Sequence, residues 1–135
     1  MKKSLFVFMI VLALSTFLTA CGGNQPTTNI EVSMVEFTFT PSEFIVPAGK
    51  EITITVANNG AVEHEFVIFK LGTDAGEKFG DEDLPNVYWQ VKVLPAESTT
   101  TTFIAPSEPG KYFVTCGTAG HMQAGMSGSM TVVSE

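Results

Sequence analysis

The sequence predicts an all-β sandwich, because residues 30–135 are rich in Val, Ile, Thr and Phe, alternate apolar with polar positions over short runs, and are broken by turn residues at regular intervals. The first strand lies in "IEVSMVEFTF", where Ile30, Val32 and Met34 alternate before the apolar positions switch parity to Val35, Phe37 and Phe39. A parity switch inside one run predicts a bulge or a change of sheet. "EFIVPAGKEITITVANNG" then predicts a short strand, a turn at Pro47 to Gly49, a strand with Ile52, Ile54 and Val56 on one face, and a turn at Asn58 to Gly60. "HEFVIF" starts the next strand. The acidic stretch up to Pro85 is the least strand-like part and predicts a short helix or a long loop. "VYWQVKVL", "TTTTFIA", "YFVTC" and "SMTVVSE" follow as strands, with turns at "PAES" and "PSEPGK", which makes about eight strands at the spacing of a two-sheet sandwich.

The beginning of the chain is different. Lys2 and Lys3 precede the apolar run "LFVFMIVLALSTFL" at residues 5–18, the pattern of an export signal, and the run is too short and wrongly flanked for a spanning helix. "LTAC" at residues 18–21 resembles the lipobox of bacterial lipoproteins, which implies cleavage before Cys21 and a diacylglyceryl anchor on its sulfur. "GGNQPTTN" that follows has Gly, Pro and polar residues without periodicity and reads as a tether. The expected organisation is a lipoprotein signal peptide at 1–20, the lipidated Cys and tether at 21–29, and one domain at 30–135, whose 106 residues suffice for one core but not for two.

Without residues 1–20 the chain has five Lys and no Arg against fourteen acids, a net charge of 5 − 14 = −9 with His neutral. Nucleic acid is excluded as a partner for such a surface. Five of the acids fall in "DAGEKFGDED", residues 74–83, which reads as a solvated loop.

The chemistry concentrates in "YFVTCGTAGHMQAGMSGSM", residues 112–130, where Cys116, His121 and Met126 stand within eleven residues. A thiolate, an imidazole and a thioether suit copper, since soft sulfur favours Cu(I) and imidazole accepts Cu(II) as well. Zinc fits less well, because Met is not among its usual ligands. Cys116 ends one expected strand and Met126 precedes the next, so the three donors share one loop, which Gly117, Gly120 and Gly125 allow to fold back on itself. His64, the chain's other histidine, starts a strand after "NNGAVE"; beside the Cys116 loop it completes a set of two His, one Cys and one weak Met. Singly, each of these residues is as well explained by packing or surface exposure, and only their joint spacing favours a metal.

"PGKYFVTCGTAGHMQAGMSGSMTVV", residues 109–133, resembles the ligand loop of the cupredoxins, the small blue copper proteins, and its spacing is similar to the auracyanin and rusticyanin branch. "NNGAVEHEFVIF" resembles the segment that supplies the family's first His. The resemblance implies a cupredoxin-like Greek-key sandwich that binds one copper ion, with His64 and His121 as equatorial imidazoles, Cys116 as thiolate and Met126 as axial thioether. Met122 adjoins His121 too closely for the axial role, and Met130 fits the inward alternation of the last strand. Many members carry Asn after the first His, tying the two ligand segments together; this chain has Glu65. The implied function is one-electron transfer between redox proteins rather than enzyme catalysis, by a monomer exported and held at the membrane through Cys21. An apolar patch of Met122, Ala119 and Ala124 around His121 is the expected exchange surface. The competing readings are copper storage or delivery, and a metal-free immunoglobulin-like envelope module.

Overall fold

The computed structural model describes residues 25–134, so the signal run and Cys21 lie outside the described residues. Nine strands are found among them: β1 Asn29–Val35, β2 Thr38–Thr40, β3 Glu43–Pro47, β4 Glu51–Asn58, β5 His64–Phe69, β6 Val87–Val93, β7 Ser98–Ile104, β8 Gly110–Cys116 and β9 Ser127–Val133. They form two sheets, ordered β2-β1-β4-β7 and β3-β9-β8-β5-β6. A 3-10 helix, Asp81–Asn86, closes the acidic stretch, where Gly80 N–H donates to the Asp83 carboxylate at 2.9 Å. No helix among the described residues is long and apolar enough to cross a membrane.

Alternation sets which face is buried. Ile30, Val32 and Met34 of β1 and Ile52, Ile54 and Val56 of β4 point inward, in parallel register Ile30↔Ile54 and Val32↔Val56. From the other sheet Phe66, Ile68, Tyr112, Val114, Met130 and Val132 meet them. Phe66 is fully buried and lies edge to face against Phe39 of the opposite sheet, with ring centroids 5.0 Å apart.

Two features depart from the sequence expectation. The parity switch after Met34 is neither a bulge nor a change of sheet: the chain reverses at Glu36 and Phe37, and β2 folds back antiparallel on β1 with Val35 opposite Thr38. Phe37 takes φ of 66°, the positive value that a tight reversal demands of its second central residue, and stays 48% exposed. The chain is also tied down before β1 begins, since Thr27 N–H donates to the Ile45 carbonyl at 2.9 Å and Thr28 accepts from Thr53 N–H at 2.8 Å.

Topology brings five segment ends to one end of the sandwich. β1 and β4 run parallel and finish together at Met34↔Asn58, and Asn59 N–H then donates to the Met34 carbonyl. β5 starts beside the end of β8, with Phe66 opposite Cys116, and β9 starts opposite the same end, with Ser127 opposite Thr115.

Candidate metal centre

Cys116 is the last residue of β8, and its side chain enters the core, fully buried and free. His64 is the first residue of β5, also fully buried, while His121 comes from the β8–β9 loop and is 8% exposed. Their donor atoms converge: Cys116 Sγ lies 3.6 Å from His64 Nδ1 and 3.5 Å from His121 Nδ1, and the two Nδ1 atoms lie 3.1 Å apart. Two donors each about 2 to 2.3 Å from a common ion sit roughly 3 to 4 Å apart, so these separations fit one shared ion. Two imidazole lone pairs and a thiol directed into one buried space are costly unless something satisfies all three, and a soft or borderline metal does so.

The loop that carries His121 holds itself. His121 N–H donates to the Thr118 carbonyl at 3.0 Å, Ala124 N–H to Gly120 at 3.1 Å and Gly125 N–H to Met122 at 2.9 Å. Gly120 and Gly125 have φ of 83° and 97°, which side-chain-bearing residues rarely adopt. Met126 N–H then donates to the His121 carbonyl, and Cys116 N–H to the Met126 carbonyl, both at 3.0 Å. Met126 is thereby fixed beside Cys116 and His121, with its side chain fully buried in the main core. Met130 is likewise buried on β9 as a core residue.

The two ligand-bearing segments are tied together without an Asn at position 65. Gly117 N–H donates to the Glu65 carbonyl at 2.9 Å, and Thr118 Oγ1 donates to the Glu63 carbonyl at 2.9 Å. The Glu65 side chain lies over Gly117, in space that a Cβ would need.

Around the cluster, Ala119 and Ala124 are exposed, whereas Met122 is half-buried against the small cluster of Val67, Phe69 and Ala75. Sequence reasoning passed over three residues here. Phe37 packs edge-on against the His121 ring, with centroids 5.3 Å apart. Glu36 accepts from Ala61 N–H at 2.5 Å and Val62 N–H at 3.2 Å, and its Oε1 stands 4.0 Å from His64 Nε2. Asn58 is buried and stitches the turn before His64. An exposed aromatic at a parity switch is the one signal that pointed toward Phe37; nothing local marks Glu36.

Burial holds the His64 imidazole below its ordinary 6.5, His121 adds to that, and Glu36 opposes it. The Glu36 carboxyl is held below its ordinary 4.5, chiefly by the Ala61 N–H.

A family model described as "Cupredoxin-like domain" matches residues 5–132. No curated protein matches the chain. Among solved structures, the sodium-dithionite-reduced auracyanin of the photosynthetic bacterium Roseiflexus castenholzii is 32% identical, with a TM-score of 0.71 over 81% of this chain and 99% of that one. Auracyanin B is 25% identical, with a TM-score of 0.67 over 82% and 92%. Auracyanin A of Chloroflexus aurantiacus, described as a "blue" copper protein, is 26% identical, with a TM-score of 0.64 over 81% and 100%.

Proposed function

Since this chain belongs to the cupredoxin-like family, we propose that it is a membrane-tethered blue copper protein that carries single electrons between redox proteins. The family and the His, Cys, His and Met set indicate one copper ion. The observation that carries the reading is the convergence of His64 Nδ1, Cys116 Sγ and His121 Nδ1, all buried, within 3.1 to 3.6 Å of one another. In this reading those three atoms hold the ion and Met126 offers a weak fourth contact. Copper so held would supply a Cu(I)/Cu(II) couple, the chemistry of one-electron exchange with redox proteins.

The protein's part is to keep its donors still and water out. His64 and Cys116 sit on paired strands, and the His121 loop is closed by its own hydrogen bonds, so neither oxidation state requires the chain to move. In this reading the buried Met126 would take the position a substrate or water needs, which favours electron transfer over catalysis. His121, the least buried donor, is the proposed route for the electron, through a surface of Ala119, Ala124, Met122 and the exposed ring of Phe37. Export and lipidation at Cys21 are supported by the basic start, the apolar run and the small residues before that cysteine. Such an anchor keeps a small carrier beside membrane redox complexes.

The test is the visible spectrum of residues 24–135 with one equivalent of Cu(II), beside Cys116→Ser. An intense blue or green band that disappears on reduction and is missing in the variant is expected. A folded β domain without that band would refute the carrier reading and favour copper handling or a purely structural sandwich.

A further inference from the structure

We propose that the reversal between β1 and β2 is a positioning device for both imidazoles, in which the Glu36 carboxylate is the acceptor for the Nε2–H of His64. This role rests on the copper reading above. A neutral imidazole has a single N–H, so when His64 Nδ1 gives its lone pair to a metal its proton resides on Nε2. That nitrogen is the buried side-chain nitrogen or oxygen left without a hydrogen-bond partner among the described residues. Glu36 Oε1 faces it at 4.0 Å, and a shift of about 1 Å brings the pair into hydrogen-bond range. The carboxylate is anchored for this by the amides of Ala61 and Val62.

Gly60 is the second observation. A Cβ there would lie 2.7 Å from Glu36 Oε1 and 2.8 Å from His64 Nε2. The path between carboxylate and imidazole is therefore open because residue 60 has no side chain. Phe37 is the third. It follows Glu36 in the reversal, outside the alternation of either strand, and with its left-handed φ the neighbouring side chains of Glu36 and Phe37 face the two imidazoles. A carboxylate that accepts from a ligand imidazole makes it more basic and favours the more highly charged metal state.

The test compares reduction potentials of the copper-loaded protein with those of E36Q and of E51Q, which loses the same charge at the start of β4. E36Q is expected to shift the redox equilibrium toward the reduced form about tenfold, or about 59 mV to the positive side. E51Q should change it less than about twofold, because its exposed charge is screened. In the reduced wild-type protein the His64 Nε2–H should give a proton resonance that exchanges slowly with water, and G60A should speed that exchange. Equal potentials for E36Q and E51Q, or a rapidly exchanging Nε2–H in the wild type, would overturn the assignment while the blue band leaves the copper reading intact. The wild-type resonance decides the matter if E36Q does not fold. Absence of the band from the wild type would remove both.

Discussion

Asn58 shows how one side chain can hold a site it does not join. It is 1% exposed; its Nδ2 donates to the carbonyls of Val62 at 2.8 Å and Val93 at 2.9 Å, and its Oδ1 accepts from Gly60 N–H at 2.9 Å. The Asn58 amide thus makes three of the bonds that shape the turn between β4 and His64, beside those that Glu36 accepts from Ala61 and Val62. Asn58→Ala leaves the buried Val93 carbonyl unpaired, at about 1 to 3 kcal/mol before relaxation, and frees the part-buried Val62 carbonyl and Gly60 N–H as well. Urea titration should show a loss of about 2 to 4 kcal/mol. A loss below about 0.5 kcal/mol, typical of surface substitutions, would show that the turn holds without it. The two methionines that the sequence set aside differ in environment: Met130 is fully buried in the main core, and Met122 is half-buried over the smaller cluster.

At the scale of elements, the edge strand β3 pairs parallel with β9, and its Glu43 reaches past that strand to Lys111 of β8. Glu43 Oε1 accepts from Lys111 Nζ and from Ser129 Oγ, both at 3.2 Å. Lys111 chiefly, with Ser129 helping, holds the Glu43 carboxyl below its ordinary 4.5. A depressed carboxyl means that the unfolded chain binds the proton more readily. The contribution is therefore complete above pH 4.5 and lost as pH falls through the lower folded value. Carbon-detected NMR titration should find Glu43 titrating below 4.5 and moving up toward that value in Lys111→Ala. No movement would mean that the contact is not maintained in solution. Both partners are about two-thirds exposed, so the pair affects the edge locally and the whole fold little.

For the whole molecule, the donors are held by strands and by a loop with its own backbone hydrogen bonds, whereas a zinc finger is unfolded until its metal binds. Removing copper from the reduced protein with a chelator should leave the amide NMR spectrum of both sheets dispersed. Shifts should be confined to residues 36–37, 60–65 and 116–126. Reloading should raise stability by linkage, about 2.7 kcal/mol at free metal one hundred times the dissociation constant. Collapse of the amide dispersion on chelation would show that the metal builds the fold. Four of the five acids in residues 74–83 are exposed and Asp83 is half-buried, so this stretch concentrates negative charge at the surface.

The sandwich was legible in the chain because strand alternation and turn chemistry are local: Ile52, Ile54 and Val56 share a buried face, and Met130 and Val132 point inward, as their spacing required. The closeness of Cys116, His121 and Met126 was legible for the same reason, since Cys116 ends β8 and the short loop to β9 carries the other two. His64 could be nominated from its place at a strand start, but only the antiparallel pairing of β5 with β8 brings it within 3.6 Å of Cys116, from 52 residues away. Parity alone predicts a bulge or a change of sheet after Met34, because it does not distinguish a displaced residue from the turned chain found at Glu36 and Phe37. That Glu36 reaches His64 and Phe37 reaches His121 depends on β1 and β4 ending together at the end of the sandwich where β5 begins. Local patterning sets each element and its buried face; which ends meet, and therefore which side chains surround the site, is decided by strand pairing across the whole chain.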